Sequence, residues 1–272
     1  MTLYVTDLDG TFLRSDTSLS EYTVNTINRL IGERGVLFTY ATARSYASAS
    51  PLVKKLDLHC PAIIFNGAFI VDPRTGEHLV ENGYSEKSQA IAMDFFLSEN
   101  IAPLVYANIN GEERVSYLET RMENIRSYVD ARRGDKRMRP VREFGALFEG
   151  EPFYFTIINP DDTAALDKVF TKENGFARNL QKDTYDDYYW YEIYDHTASK
   201  ANAVLQVKEL VKAEKIVCFG DNLNDISMIG AADIGAAVSN ANIELKKAAD
   251  IIIESNDEDG VAKYIAGIED RE

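Results

Sequence analysis

The sequence predicts an α/β protein, a doubly wound parallel-sheet core interrupted by an inserted α+β domain. Three observations predict it. At both ends of the chain short, near-continuous apolar runs alternate with helical patterns, as the buried strands of a parallel sheet require. From about residue 82 to 191 the strand patterns are instead more polar and aromatic. Polar residues gather directly after the apolar runs, at the strand ends where open α/β sheets bind ligands.

The runs at 3–5, 36–41, 62–65, 216–219, 234–237 and 251–253 read as buried core strands. Stretches at 20–32, 45–56, 199–212, 242–249 and 260–268 read as the helices between or after them. In the middle, 104–109, 115–118, 153–158 and 188–194 read as strands, with helices near 86–99, 120–131 and 162–172. The chain thus divides into a core of residues 1–82 and 192–272 and an insertion of residues 83–191. A length of 272 residues fits two such domains.

Composition narrows the function classes. The formal net charge of −15 disfavours nucleic acid and anionic membrane surfaces, both of which need clustered Lys and Arg. It leaves room for a small anionic metabolite, because a site can be locally positive on an acidic protein. No apolar run approaches the roughly 20 residues that span a bilayer. The N-terminus lacks the basic region, apolar core and cleavage site of a signal peptide. Two cysteines, Cys60 and Cys218, make no disulfide framework, and Cys218 sits in an apolar strand pattern as plain core. A cytoplasmic location is expected.

Four clusters follow strand ends or open a helix: Asp7-Leu8-Asp9-Gly10-Thr11, Thr42-Ala43-Arg44, Ser199-Lys200 and Gly220-Asp221-Asn222-Leu223-Asn224-Asp225. Asp7 and Asp9 are two residues apart, a spacing that shares one face of a continuing strand. Carboxylates beside a buried strand are costly unless a cation or a reaction uses them. Several carboxylates with a few other oxygen donors suit Mg²⁺. A Thr hydroxyl, backbone amides, Asn224 and Lys200 suit phosphate oxygens. An Asp carboxylate can attack phosphorus and form an aspartyl-phosphate, provided that a cation and a Lys offset its repulsion by a phosphate dianion. The set suits phosphoryl transfer.

In these clusters the chain resembles the haloacid dehalogenase superfamily, and within it the Cof-type phosphatases with a large inserted cap. The four clusters match that family's four motifs in order, with Thr42 in the second and Lys200 in the third. Asn66-Gly67-Ala68, Ala236-Ala237-Val238-Ser239-Asn240-Ala241, Ala249-Asp250 and Asp259-Gly260-Val261 match the Cof pattern as well. The resemblance is weak inside the insertion.

The resemblance implies Mg²⁺-dependent hydrolysis of small phosphomonoesters, sugar phosphates first, beneath a mobile cap. It implies that Asp7 attacks phosphorus, and that Asp9 protonates the leaving group and then activates water. It places Mg²⁺ on the Asp7 carboxylate, the Asp9 backbone carbonyl and Asp221, with Asp225 orienting that shell. Phosphate would lie against the Leu8 backbone, Thr42, Ala43, Lys200 and Asn224. Ala43 and Ala201 stand where the family often has Gly, which keeps each backbone N–H and is tolerated wherever φ is negative.

Other readings stay open at this point. Thr42 also suits a helix N-cap, and Asp225 a carboxylate at a helix start. Arg44 reaches either substrate or a structural ion-pair partner. Asn66 and Gly67 read as a turn, with Asn66 able to line the pocket. His59, His78 and His196 lack metal-ligand spacing, and His196 is near Lys200 in sequence. The basic run Arg132, Arg133, Lys136, Arg137, Arg139 and Arg142 is either a solvated segment or a surface that draws anionic substrates. Tyr185, Tyr188, Tyr189, Trp190, Tyr191 and Tyr194 alternate faces along a strand, one face core and the other available to a substrate ring or a domain junction. Two rival functions fit the same pocket: a phosphomutase-type phosphotransferase and a non-catalytic protein that binds a phosphorylated ligand.

Overall fold

Five parallel strands form the core sheet, and their apolar side chains explain why it folds. The computed structural model describes residues 1–182 and 188–271, so Tyr185 lies outside the described residues. The first core segment runs β1 (Thr2–Thr6), α1 (Glu21–Arg34), β2 (Leu37–Tyr40), α2 (Tyr46–Val53), β3 (Ala62–Ile64), β4 (Phe69–Val71) and β5 (His78–Glu81). The insert runs α3 (Glu86–Ser98), β6 (Leu104–Ile109), β7 (Glu112–Leu118), α4 (Arg126–Ala131), β8 (Met138–Val141), β9 (Glu151–Ile158), α5 (Thr163–Val169), β10 (Phe176–Lys182) and β11 (Tyr189–Asp195). The chain returns as α6 (Lys200–Val211), β12 (Lys215–Gly220), α7 (Ile226–Ala231), β13 (Ile234–Val238), α8 (Ile243–Ala248), β14 (Ile251–Ile253) and α9 (Gly260–Glu269).

The core sheet has the order β14-β13-β12-β1-β2, with every neighbouring pair parallel. β1 is central: Leu3 pairs with Ile216 and Leu37, and Val5 with Cys218 and Thr39. Leu3, Val5, Cys218 and Phe219 have no exposed surface, as strands covered on both faces require. Helices α1 and α9 pack together, as do α6 and α7. No helix is long and apolar enough to cross a membrane among the described residues.

One expected core strand leaves this sheet. The run 62–65, read as part of the parallel sheet, instead supplies β3 (Ala62–Ile64) of a separate antiparallel sheet with β4 and β5. A parallel bridge between Ala41 and Ile63 joins it to the end of β2. Local geometry is the reason. Phe65 and Asn66 adopt positive φ values of 48° and 53°, and the chain doubles back at Phe69 to pair with its immediate predecessor.

The insert is a mixed sheet of order β10-β11-β9-β6-β7-β8, antiparallel except where β7 meets β8. Asn110 and Gly111, both at positive φ, make the two-residue turn between β6 and β7 that the strand twist favours. One face packs Tyr84, Phe96, Phe155, Phe170 and Phe176 into an aromatic core, with ring centroids 5.0 Å apart for Tyr84–Phe155 and for Phe170–Phe176. The other face holds Leu104, Val115, Tyr117, Ile125, Tyr128 and Ile158. The tyrosine-rich strand alternates as expected: Tyr191 enters the first cluster, while Trp190 meets Tyr128 and Tyr194 stacks on Tyr154.

The two compact units are residues 1–81 with 198–271 and residues 82–197. The second junction therefore falls after Thr197, not at 191–192. Strand pairing explains the shift: β11 continues to Asp195 and pairs with β9 and β10, so residues 192–195 belong to the insert's sheet.

Four of the six basic residues of the run pair with carboxylates inside the insert. Arg133 pairs with Asp130, Arg137 with Asp135 and Glu113, Arg139 with Glu149, and Arg142 with Glu119. Arg132 lies over the Tyr128 ring, 3.7 Å from its centroid. These pairs favour the structural reading of the run over a surface that attracts anions.

Phe96 is fully buried and touches Phe95, Phe148, Phe155 and Phe170. Phe96→Ala is expected to destabilise the insert by about 3–5 kcal/mol, the usual cost of an aromatic cavity. Urea denaturation followed by tyrosine and tryptophan fluorescence checks this, and a loss below about 1 kcal/mol would contradict the packing described.

Candidate active site

The site is built at the carboxyl ends of adjacent parallel strands. β1 delivers Asp7, whose amide donates to the Phe219 carbonyl at 2.9 Å, so strand pairing continues one residue past β1 and fixes the carboxylate at the sheet edge. The neighbouring β12 delivers Gly220 and Asp221. α6 begins at Lys200, with Ser199 as its N-cap through a bond from the Asn202 amide.

Lys200 is the hub. Its Nζ donates to Asp7 Oδ1 at 2.5 Å and to Asp225 Oδ1 at 2.7 Å. Lys200 is 2% exposed, Asp7 6% and Asp225 fully buried, so all three charges sit in a low-dielectric interior where each needs the others. Asp225 Oδ2 accepts from the amides of Asp221 and Asn222, both at 3.1 Å. Both Asp225 oxygens are therefore engaged: one orients the ammonium and the other the 220–225 loop. Gly220 is required beneath it, since a Cβ there would lie 2.6 Å from Asp225 Cβ.

Asp221 completes a carboxylate cluster. Oxygens of Asp7, Asp221 and Asp225 lie within 4.8 Å of one another. Asp221 Oδ1 accepts from Thr11 Oγ1 at 3.0 Å. Gly10, at φ +75°, allows this approach, because a Cβ would stand 2.5 Å from Asp221 Oδ2. Among the described residues, neither Asp7 Oδ2 nor Asp221 Oδ2 receives a hydrogen bond.

Three carboxylates face one ammonium, and the proton affinities show the imbalance. Burial pushes the Asp7 carboxyl up to about 8, against the pull of Lys200 and with added repulsion from Asp225 and Asp221. Burial, then Asp225, raises Asp221 to about 6, although the Thr11 hydroxyl opposes this. Burial alone would lower Lys200, yet Asp7 and Asp225 outweigh it and hold its ammonium above the ordinary lysine range. Hard, closely spaced oxygens with excess negative charge fit a divalent cation such as Mg²⁺. Asp7 and Asp221 have oxygens to give it, whereas both oxygens of Asp225 are engaged.

The other expected residues fall into two groups. The Thr42 amide donates to the Ile63 carbonyl, and Thr42 Oγ1 accepts from the Arg44 amide at 3.1 Å, which leaves its hydroxyl proton for another acceptor. Ala43 is exposed beside it. Neither Ala43 nor Ala201 has a positive φ, so alanine fits both positions where the family often has glycine. Asn224 Nδ2 donates to Asn66 Oδ1 at 3.4 Å, which brings the Asn66 turn to the 220–225 loop. Leu8 is buried directly after Asp7. Asp9 and Arg44 form a pair of their own: Arg44 Nε and Nη2 donate to the two Asp9 oxygens at 2.7 and 2.6 Å. The Asp9 side chain is 47% exposed and stands outside the carboxylate cluster. Arg44 thus engages an acid, not a neighbouring phosphate-binding group.

The three histidines take local roles: His59 lies near Asp57, His78 stacks on Phe69 and meets Glu81, and His196 is within 3.3 Å of the Gly175 carbonyl. Sequence reasoning missed the supports of the 8–13 loop. Asn240 Nδ2 donates to the Gly10 carbonyl at 2.7 Å, and Asn256 Nδ2 to the Leu13 carbonyl at 2.9 Å. Asn240 follows β13, so the strand-end rule that singles out Asp7 and Asp221 also reaches it; Asn256 has no comparable signal.

Comparison with known proteins agrees with this geometry. A family profile described as haloacid dehalogenase-like hydrolase matches residues 4–265. The chain is 28% identical over 282 aligned positions to the 5-amino-6-(5-phospho-D-ribitylamino)uracil phosphatase YwtE of Bacillus subtilis, covering 95% of each chain. It is 26% identical to the pyridoxal phosphate phosphatase YbhA of Escherichia coli, again covering 95% of each. A crystal structure of a haloacid dehalogenase-like hydrolase from Bacteroides thetaiotaomicron is similar with a TM-score of 0.73 and 25% identity, covering 98% of this chain and 99% of that one. Hydrolases of this family use a divalent metal, and the oxygen cluster at Asp7 and Asp221 suits one. With motif order, fold and profile in agreement over nearly its whole length, the chain belongs to the haloacid dehalogenase-like hydrolases and is a phosphatase of that family.

Proposed function

We propose that the protein hydrolyses small phosphomonoesters, sugar phosphates first among them, with Mg²⁺ and through an aspartyl-phosphate on Asp7. The observation that carries this reading is the buried Lys200 ammonium shared between Asp7 and Asp225, with Asp221 alongside. Binding alone does not require a buried carboxylate held this way beside an acid such as Asp9. The named substrates of the two relatives, a phosphoribityl compound and pyridoxal phosphate, are both small phosphomonoesters, which supports the substrate class.

The Asp7 and Asp221 carboxylates and the Asp9 backbone carbonyl would hold the cation. Once bound, it offsets the mutual repulsion of Asp7 and a phosphate dianion and lowers the proton affinity of both carboxylates. Lys200 and the amides of Leu8 and Ala43, with the Thr42 hydroxyl and Asn224, cradle the phosphate oxygens. An Asp7 oxygen attacks phosphorus and the bond to the leaving alkoxide breaks, while Asp9 donates a proton to that alkoxide. Asp9, now a carboxylate, takes a proton from water. The water oxygen attacks the same phosphorus, releasing phosphate and restoring Asp7. Arg44 holds the Asp9 side chain at both oxygens, so it sets the direction of the acid and has to yield one oxygen during the reaction.

Phosphate release from a panel of phosphomonoesters, with Mg²⁺ and with EDTA, tests the reading. Metal-dependent release is expected, with Asp7→Asn losing at least about a thousandfold in kcat while the fold is kept. Near-normal turnover in Asp7→Asn would overturn the nucleophile. Absence of release from every compound would shift the reading to a phosphomutase, detected as transfer between sugar hydroxyls, or to a binding protein.

The raised carboxyls make a second prediction. In metal-free protein Asp7 and Asp221 bind protons that the unfolded chain has already released, so their contribution to stability falls as pH rises from about 4 towards about 8. Metal binding displaces those protons. The increase in Tm on adding Mg²⁺ is therefore expected to be larger at about pH 8 than at about pH 5. Equal increases at both values would contradict this.

A further inference from the structure

The loop that follows Asp7 carries Asp9, Gly10 and Thr11, yet the bonds holding its outer side come from the far end of the chain. Asn240, two residues after the end of β13, donates from Nδ2 to the Gly10 carbonyl at 2.7 Å, and its Oδ1 accepts from the Asn256 amide at 3.1 Å. Both bonds fit one orientation of the amide, since a carbonyl lies on one side and an N–H on the other. Asn256 is 5% exposed and donates from its own Nδ2 to the Leu13 carbonyl. Beyond it, Asp257 accepts from Ser15, and Asp259 accepts from Arg14 and Thr23.

We infer that Asn240, anchored by Asn256, is a positioning residue that clamps the Gly10 carbonyl and so fixes the Asp9–Thr11 turn against Asp221. The inference rests on the phosphatase reading above. The chain of contacts is short. Gly10 has φ +75° and lies against Asp221 Oδ2 where a side chain would begin. Thr11 Oγ1 donates to Asp221 Oδ1. A peptide that rocks at Gly10 moves the Thr11 hydroxyl away from Asp221 on one side and Asp9 on the other. Asn240 touches none of the atoms expected to react. Its side chain is exposed, so a packing role does not account for it. Groups that orient the supports of a metal site commonly carry 10- to 100-fold in affinity or rate.

The test compares Asn240→Ala and Asn240→Asp with wild type, and uses Ser239→Ala, an exposed neighbour, as control. Asp keeps the acceptor for the Asn256 amide but sets an oxygen against the Gly10 carbonyl, whereas Ala removes both bonds without adding charge. Both variants are expected to lose about 10- to 100-fold in kcat with KM within about threefold, and to bind Mg²⁺ alone about tenfold more weakly by calorimetry. Hydrogen exchange across residues 9–14 is expected to quicken in both while the rest of the core keeps its rates. Ser239→Ala should match wild type. Wild-type exchange in that segment, or wild-type kcat and Mg²⁺ affinity with a loosened loop, would overturn the inference. So would an effect confined to Asn240→Asp, which charge alone would explain. If wild type hydrolyses no phosphoester, the phosphatase reading fails, and exchange with Mg²⁺ binding still decides whether the brace exists.

Discussion

The site depends on one buried ammonium. Lys200 brings its charge to the carboxyl end of the sheet, where Asp7 and Asp225 would otherwise be buried anions. Removing one partner from such a group leaves an uncompensated charge and costs about 3–5 kcal/mol. The three are therefore mutually enforcing, and they join separate parts of the chain: β1, the start of α6 and the loop after β12. Each lies far from the others in sequence, so the site exists only when the core segments on either side of the insert have folded together.

The same ammonium leaves the balance unfinished. It offsets only part of the charge of Asp7, Asp221 and Asp225, and burial first, then repulsion among the carboxylates, raises Asp7 and Asp221. A divalent cation, held by Asp7 and Asp221, would supply the missing positive charge, so that a phosphate dianion would meet a site closer to neutrality. The glycines make this compactness possible. Gly10 and Gly220 both stand where a Cβ would strike an active-site carboxylate, so the close approach of the two loops is written into those positions. Specificity among carboxylates follows from their partners: Asp225 has no spare oxygen, Asp221 has one, and Asp9 stands apart with Arg44.

Much of this was legible in the sequence, for physical reasons. Strands covered on both faces need apolar runs, so β1, β2, β12, β13 and β14 announce themselves, and polar residues just beyond them mark the site. Asp7, Thr42 and Asp221 stand out that way, and Lys200 as the residue that opens a helix. Residues 62–65 were misassigned because an apolar run does not say which sheet it joins; the positive φ at Phe65 and Asn66 decided that. The boundary at 191–192 came six residues early because β11 alternates aromatic and polar residues up to Asp195, with no composition change to mark its end. The bidentate Asp9–Arg44 pair and the Asn240–Asn256 brace were not legible, since hydrogen bonds between strand-end loops depend on tertiary placement, which no spacing encodes. The Gly-to-Ala departures at positions 43 and 201 bring no left-handed backbone strain, because neither residue has a positive φ.

The most direct measurement is capture of the phosphoenzyme. Asp9→Asn protein, mixed with Mg²⁺ and an aryl phosphate whose leaving group needs no acid, should complete the first step and stall at the second. Acid quench and peptide mass spectrometry should then find phosphate on Asp7. Release of the aryl alcohol without any phosphorylated peptide, or phosphate on a residue other than Asp7, would contradict the account.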